Sequence, residues 1–120
     1  MRIVIDLDGT ICELKKPNQR YEDVLPKDGA IQIINQLKKE GHEIIIYTAR
    51  NMKTLKWNLG KVNANIGKIT IDWLNHYDIK YDEILFGKPY GDIYIDDLAM
   101  KFTSWNDVET NLMKGNYIWI

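Results

Sequence analysis

Four short β-branched runs, Ile3-Val4-Ile5, Glu43 to Tyr47, Ile84 to Phe86 and Ile93 to Ile95, each give way at once to polar residues, and this restricts the possible folds more than any other feature. Runs of this length without polar alternation suit strands buried on both faces, the usual state of a parallel sheet. Helical patterns separate them. Asp28 to Lys39 places Ile31, Ile33, Ile34 and Leu37 at helical spacing and is closed by Gly41. Between the second and third runs lies a mostly helical stretch punctuated by Gly60 and Gly67, with one amphipathic helix from about Ile69 to Tyr77 and with Thr70 and Asp72 at its start. Gly9 to Pro26 reads as turn-rich, Ser104 with Asp107 as a capping pair opening a last helix through Met113, and Tyr117 to Ile120 as an edge strand. Alternation of strand and helix predicts an α/β fold, a doubly wound parallel sheet of Rossmann type with helices on both faces, in one domain spanning residues 1–120.

Such sheets bind ligands at the carboxyl ends of their strands. Here those ends carry Asp6 and Asp8, then Thr48 with Arg50, then Lys88, then Asp96 and Asp97. Asp6 and Asp8, two residues apart, point the same way from a strand, and Gly9 gives the freedom to turn behind them. A calcium loop would need Gly at Ile11 and Glu at Pro17, and both are missing. A solvated turn explains Asp6 and Asp8 alone but not the acids and cations at the other strand ends. Clustered carboxylates repel one another, and oxygen-only donors favour a hard cation such as Mg2+. With that ion and Lys88 the rim can hold a dianionic phosphoryl group, whose transfer needs positioning, charge neutralisation and a nucleophile. Asp6 can be the nucleophile. Asp8 can protonate the departing alkoxide and later take a proton from water. Arg50 suits either a second anionic group of the substrate or an ion pair with an acid.

Sixteen basic against seventeen acidic residues leave a net charge of -1, so no basic field recommends nucleic acid or an anionic membrane as a partner. The lone Cys12 cannot form an internal disulfide, and neither a leader nor a membrane-spanning run is visible, which makes the cytoplasm the expected compartment. Cys12 reads as a small buried residue, and His42, His76, Lys15 and Lys16 as structural or solvated. Trp57, Trp73, Trp105 and Trp119 suit the core, with contacts in a homo-oligomer as the alternative.

From Arg2 to about Leu98 the chain resembles the haloacid dehalogenase-like phosphatases, most specifically in Asp6-Leu7-Asp8-Gly9-Thr10. The resemblance implies Asp6 as nucleophile, Asp8 as acid/base, Thr48 as the hydroxyl that binds the phosphoryl group and Lys88 as the cation that stabilises that group and Asp6. It further implies Mg2+ held by Asp6, the main-chain carbonyl of Asp8, and the acidic motif Asp96-Asp97. YTARNM, TIDWL, YDEILFGKP and YIDDLA look more narrowly like the small capsule-biosynthesis phosphatases of bacteria, which implies a phosphorylated sugar or a carrier-linked polysaccharide precursor as substrate. In the fourth motif Gly91-Asp92 also matches the family pattern literally. Asp92 precedes the run Ile93 to Ile95, however, and at about 3.3 Å per residue would lie roughly 13 Å from Asp96, so Asp96 and Asp97 are preferred.

Two other functions suit the same residues. A receiver-type phosphoacceptor module also uses paired acids, a lone Asp, a Thr and a Lys, but its paired acids come first, whereas here they come last. A phosphotransferase or mutase must keep water from its intermediate. Forty positions separate Asp8 from Thr48 and Thr48 from Lys88, too few for a separate cap domain, so an open hydrolase is expected.

Overall fold

The computed structural model describes residues 1–113, and within them three strands form one parallel sheet in the order β1 (Arg2–Asp6), β2 (Glu43–Thr48), β3 (Glu83–Phe86). Arg2 pairs with Glu43 and Asp6 with Tyr47 at the two ends of the β1–β2 ladder, while Ile45 to Thr48 pair with Glu83 to Phe86. All three strands therefore end at one level. Helix α1 (Ala30–Lys39) joins β1 to β2 and α2 (Leu59–His76) joins β2 to β3. The α/β fold with a parallel sheet flanked by helices is as the sequence predicts, and no described segment folds as a separate cap.

Side-chain alternation along the strands explains where the core lies. Ile5, Ile44 and Ile46 fall on one face and pack with Ile33, Ile34 and Leu37 of α1 and Trp73 and Leu74 of α2. Both crossovers thus cover the same face, as right-handed βαβ units must when the sheet grows in one direction, so among the described residues α1 and α2 do not flank the sheet on both faces as expected. On the other face Ile45 is buried, whereas Val4 and Leu85 are 57% and 43% exposed.

The second helix begins well before the expected Ile69. Asn58 caps it by accepting a hydrogen bond from the Lys61 amide at 3.0 Å, and Gly67 sits buried inside it. Thr70 is accordingly a mid-helix residue, fully buried, not a helix start. The expected last helix is present as α3 (Trp105–Val108), whose cap Ser104 accepts from the Asp107 amide at 3.1 Å, and it continues as a π-helical turn over Glu109–Met113. The proposed edge strand at Tyr117 to Ile120 lies outside the described residues.

One expected element is missing. Ile93 to Ile95 forms no strand, and Ile93 and Ile95 are 78% and 95% exposed. Strand preference is realised only against a neighbour, and this run pairs with none. Local bonds shape it instead: the Tyr94 hydroxyl donates to the Pro89 carbonyl, and Asp96 Oδ1 accepts from the Leu98 amide at 2.7 Å. Among the described residues no helix is long and apolar enough to cross a membrane.

Candidate active site

The sharp reversal after β1 is built on one buried carbonyl. Leu7 is fully buried and its amide bonds to the Tyr47 carbonyl at 3.1 Å, carrying the β1–β2 pairing one residue past Asp6. Its own carbonyl then accepts from the Ile11 and Cys12 amides at 2.9 and 3.1 Å. Gly9 makes the turn at φ +87°, where a side chain would be strained. Asp6 and Asp8 consequently flank a buried leucine at the rim.

The end of β3 brings up the cation. The Lys88 amide bonds to the Thr48 carbonyl at 3.0 Å, which extends the β2–β3 pairing beyond Phe86. Between them Gly87 has φ +92°, and a Cβ there would approach Leu59 Cδ1 to 2.9 Å. Lys88 Nζ then lies 3.1 Å from Asp6 Oδ1, with the two side chains 20% and 34% exposed. Thr10 approaches the other Asp6 oxygen at 3.4 Å. Part-buried and partnered, Asp6 keeps access to solvent.

Asp8 has a different environment. Thr48 at the end of β2 is fully buried; its hydroxyl donates to Asp8 Oδ2 at 3.2 Å and accepts from the Arg50 amide at 3.1 Å. Arg50 Nε lies 3.0 Å from both oxygens of Asp8, and Nη2 lies 3.0 Å from Oδ1. Its Nη1 donates to the Thr70 hydroxyl at 3.1 Å, Nη2 reaches Cys12 Sγ at 3.6 Å, and the guanidinium lies 4.3 Å from the Tyr21 ring centroid. The Arg50 side chain has no exposed surface, while that of Asp8 is 22% exposed. Of the two expectations for Arg50, a substrate contact or an ion pair with an acid, the structure shows the ion pair, made from beneath the surface to Asp8. Cys12 is also below the rim. Burial, reinforced by the charge of Asp8, pushes its thiol up to about 12, so it remains protonated and is no nucleophile at neutral pH.

The structure thus brings Asp6, Asp8, Thr48 and Lys88 together with Arg50 behind them. It does not bring Asp96 and Asp97 to them. Both are exposed on the strandless segment, as is Asp92, and no group of three or more acidic, histidine or cysteine side chains among the described residues is close enough to hold a metal ion. The oxygen donors are chemically right for Mg2+, but the arrangement does not complete a site for it. Sequence reasoning missed Tyr21, Thr70 and Cys12 as partners of Arg50. Only the buried arginine links them, and no local spacing advertises such a contact. A broad hollow of about 730 Å3 near the opposite ends of β2 and β3, lined by Asn35, Lys38, Lys80 and Tyr81, plays no part. Asn35 is already bonded to Lys80 and Asp78, and Lys38 to Asp82.

Residues 3–108 match the family model for haloacid dehalogenase-like hydrolases. A crystal structure of a protein from Vibrio cholerae is 36% identical with a TM-score of 0.81, covering 94% of this chain and 91% of that one. Two structures of the Pnkp1/Rnl/Hen1 complex, one described as an RNA repair complex, match at 21% and 22% identity with TM-scores of 0.55 and 0.53. They cover 98% and 97% of this chain but 35% and 33% of the other chains, and at such identity they speak to the fold alone. No curated protein matches the chain in sequence.

Proposed function

This chain belongs to the haloacid dehalogenase-like hydrolases, and from that premise we propose that it is a phosphomonoesterase working through an aspartyl-phosphate on Asp6. The observation that carries the proposal is the pairing of Asp6, at the end of β1, with Lys88 Nζ at 3.1 Å, beside a second carboxyl group on the same turn. An oxygen of Asp6 attacks phosphorus while the ester bond breaks, and the electron pair of that bond stays on the leaving oxygen, which takes a proton from Asp8. Lys88 balances the charge of the phosphoryl oxygens, and the Thr48 hydroxyl, which donates to Asp8 at 3.2 Å in the free protein, turns to one of them when substrate is bound. Water then attacks phosphorus and gives its proton to Asp8, and the Asp6 carboxylate leaves as inorganic phosphate forms.

Magnesium dependence belongs to this proposal on the oxygen donors of Asp6 and Asp8, which would suit the ion, while Asp96 and Asp97 stand apart from them. The substrate class is a small or carrier-linked phosphorylated sugar or polysaccharide precursor, supported by the narrower sequence resemblance and by a rim over which no cap is folded among the described residues. The same openness favours hydrolysis over phosphotransfer, since water reaches the intermediate. A magnesium-supplemented hydrolysis screen over sugar phosphates, nucleotides and phosphorylated glycan precursors tests the reading. We expect turnover of a sugar phosphate that falls by a factor of about 10³ or more in Asp6→Asn. Undiminished turnover in that variant rules out the covalent route, and undiminished turnover in chelator rules out the metal.

A further inference from the structure

We propose that Arg50 is the positioning residue of the acid/base step: its buried guanidinium fixes the carboxyl group of Asp8 so that its open side faces the bond being broken. The inference rests on the acid/base role given to Asp8. Three observations carry it. Two guanidinium nitrogens, Nε and Nη2, make three contacts of 3.0 Å to the two Asp8 oxygens, a fork that fixes the plane of the carboxyl group as well as its place. It lies wholly beneath the surface while Asp8 is 22% exposed, so the remaining free side of Asp8 is the outward one. And Arg50 is itself held by three separate parts of the chain: Thr70 on α2, Cys12 on the loop after β1, and the ring of Tyr21 on a 3-10 turn.

Thr70 is part of the support. Its hydroxyl donates to the Ile66 carbonyl at 2.8 Å, so its lone pair is turned to Arg50 Nη1 at 3.1 Å. Thr48 completes the clamp, since its hydroxyl touches Asp8 and the Arg50 amide together. A partner needed only to neutralise a half-buried acid would require neither the fork nor the second layer. A group that must deliver a proton to one atom gains from both, because misplacement by a fraction of an ångström weakens the transfer.

The test is the dependence of kcat/KM on leaving-group basicity, measured with magnesium over aryl phosphates from 4-nitrophenyl phosphate to phenyl phosphate and on to an alkyl phosphate. A 4-nitrophenolate leaves without a proton; an alkoxide does not. Wild type is expected to show a shallow dependence and Asp8→Asn a steep one. Arg50→Met should then resemble Asp8→Asn, losing about 10²-fold more on the alkyl phosphate than on the nitrophenyl ester, with Arg50→Lys in between. Loss by the same factor across the series overturns the inference and leaves Arg50 merely structural. Should Arg50→Met not fold, Thr70→Val removes the support and keeps the charge; a smaller steepening is expected, and a parallel line overturns the proposal. If wild type and Asp8→Asn share one slope, the acid role of Asp8 fails and the positioning role falls with it, whereas loss of the Asp6 intermediate is read separately by Asp6→Asn.

Discussion

Two carboxylates separated by one residue receive opposite treatment at this rim. Asp6 faces solvent with a lysine at 3.1 Å, whereas Asp8 is gripped from below by an arginine with no exposed surface. On the proposed mechanism that difference would divide the work, Asp6 as nucleophile and Asp8 as the group that handles protons. It was only partly legible in the sequence. Asp-Leu-Asp-Gly-Thr announces both acids, and their pointing the same way follows from strand geometry. The partner of Asp8 does not, because Arg50 reads equally as a ligand for substrate until its burial is known. Cys12 belongs to the same network. With its thiol pushed up to about 12, mainly by burial, it should be inert to a thiol reagent at neutral pH in the folded protein and react only on unfolding. The sign for stability follows: from the free-thiol value of 9.0 up to about 12 the unfolded chain ionises while the folded one does not, so this residue's contribution is lost as pH rises through that window. Rapid labelling of the native protein at neutral pH would contradict the burial.

At the scale of elements, strands were easier to read than their partners. β1, β2 and β3 form where the runs predict them, although only β2 is buried on both faces, yet an equally good run, Ile93 to Ile95, lies unpaired and exposed. Composition gives the preference for a strand, but pairing decides it. The early half of α2 was hidden for the opposite reason: Gly60 and Gly67 look like breaks, while Asn58 caps a helix that runs through both. Tryptophan indoles tie these elements to the loop that carries the site. Trp73 on α2 donates to the Val24 carbonyl at 2.8 Å, and Trp105 on α3 to the Thr10 carbonyl at 2.7 Å. Both rings are buried, so they belong to the core, not to a subunit contact. Trp73→Phe keeps most of the ring volume and leaves the carbonyl unpaired, which should cost about 1–3 kcal/mol. Urea unfolding at unchanged slope is the check, and a midpoint equal to wild type would show that the indole bond is immaterial.

Across the whole molecule the sheet is polar in function. At its amino end Arg2 Nη1 reaches Glu43 at 2.5 Å and Glu83 at 2.8 Å, one cation across all three strands, in an exposed cluster that contributes little energy. At its carboxyl end the same three strands deliver Asp6, Thr48 and Lys88 to one place. The fold turns three distant stretches into one site because the strands end level, and that much follows from the pattern of runs and polar stops. The acids at Asp96 and Asp97 do not follow, since their placement depended on a strand over Ile93 to Ile95 that does not form. Trp57, 55% exposed, is the described tryptophan still available for a contact between copies, and Trp119 lies outside the described residues. The central claim is that Asp6 carries the phosphoryl group. Acid quenching of a single turnover, followed by peptide mapping, tests it most directly. The peptide containing Asp6 should carry a phosphoryl group labile to alkali and hydroxylamine, absent in Asp6→Asn and accumulating in Asp8→Asn. Turnover at full rate with that peptide unlabelled, or with the label on another residue, would contradict the account.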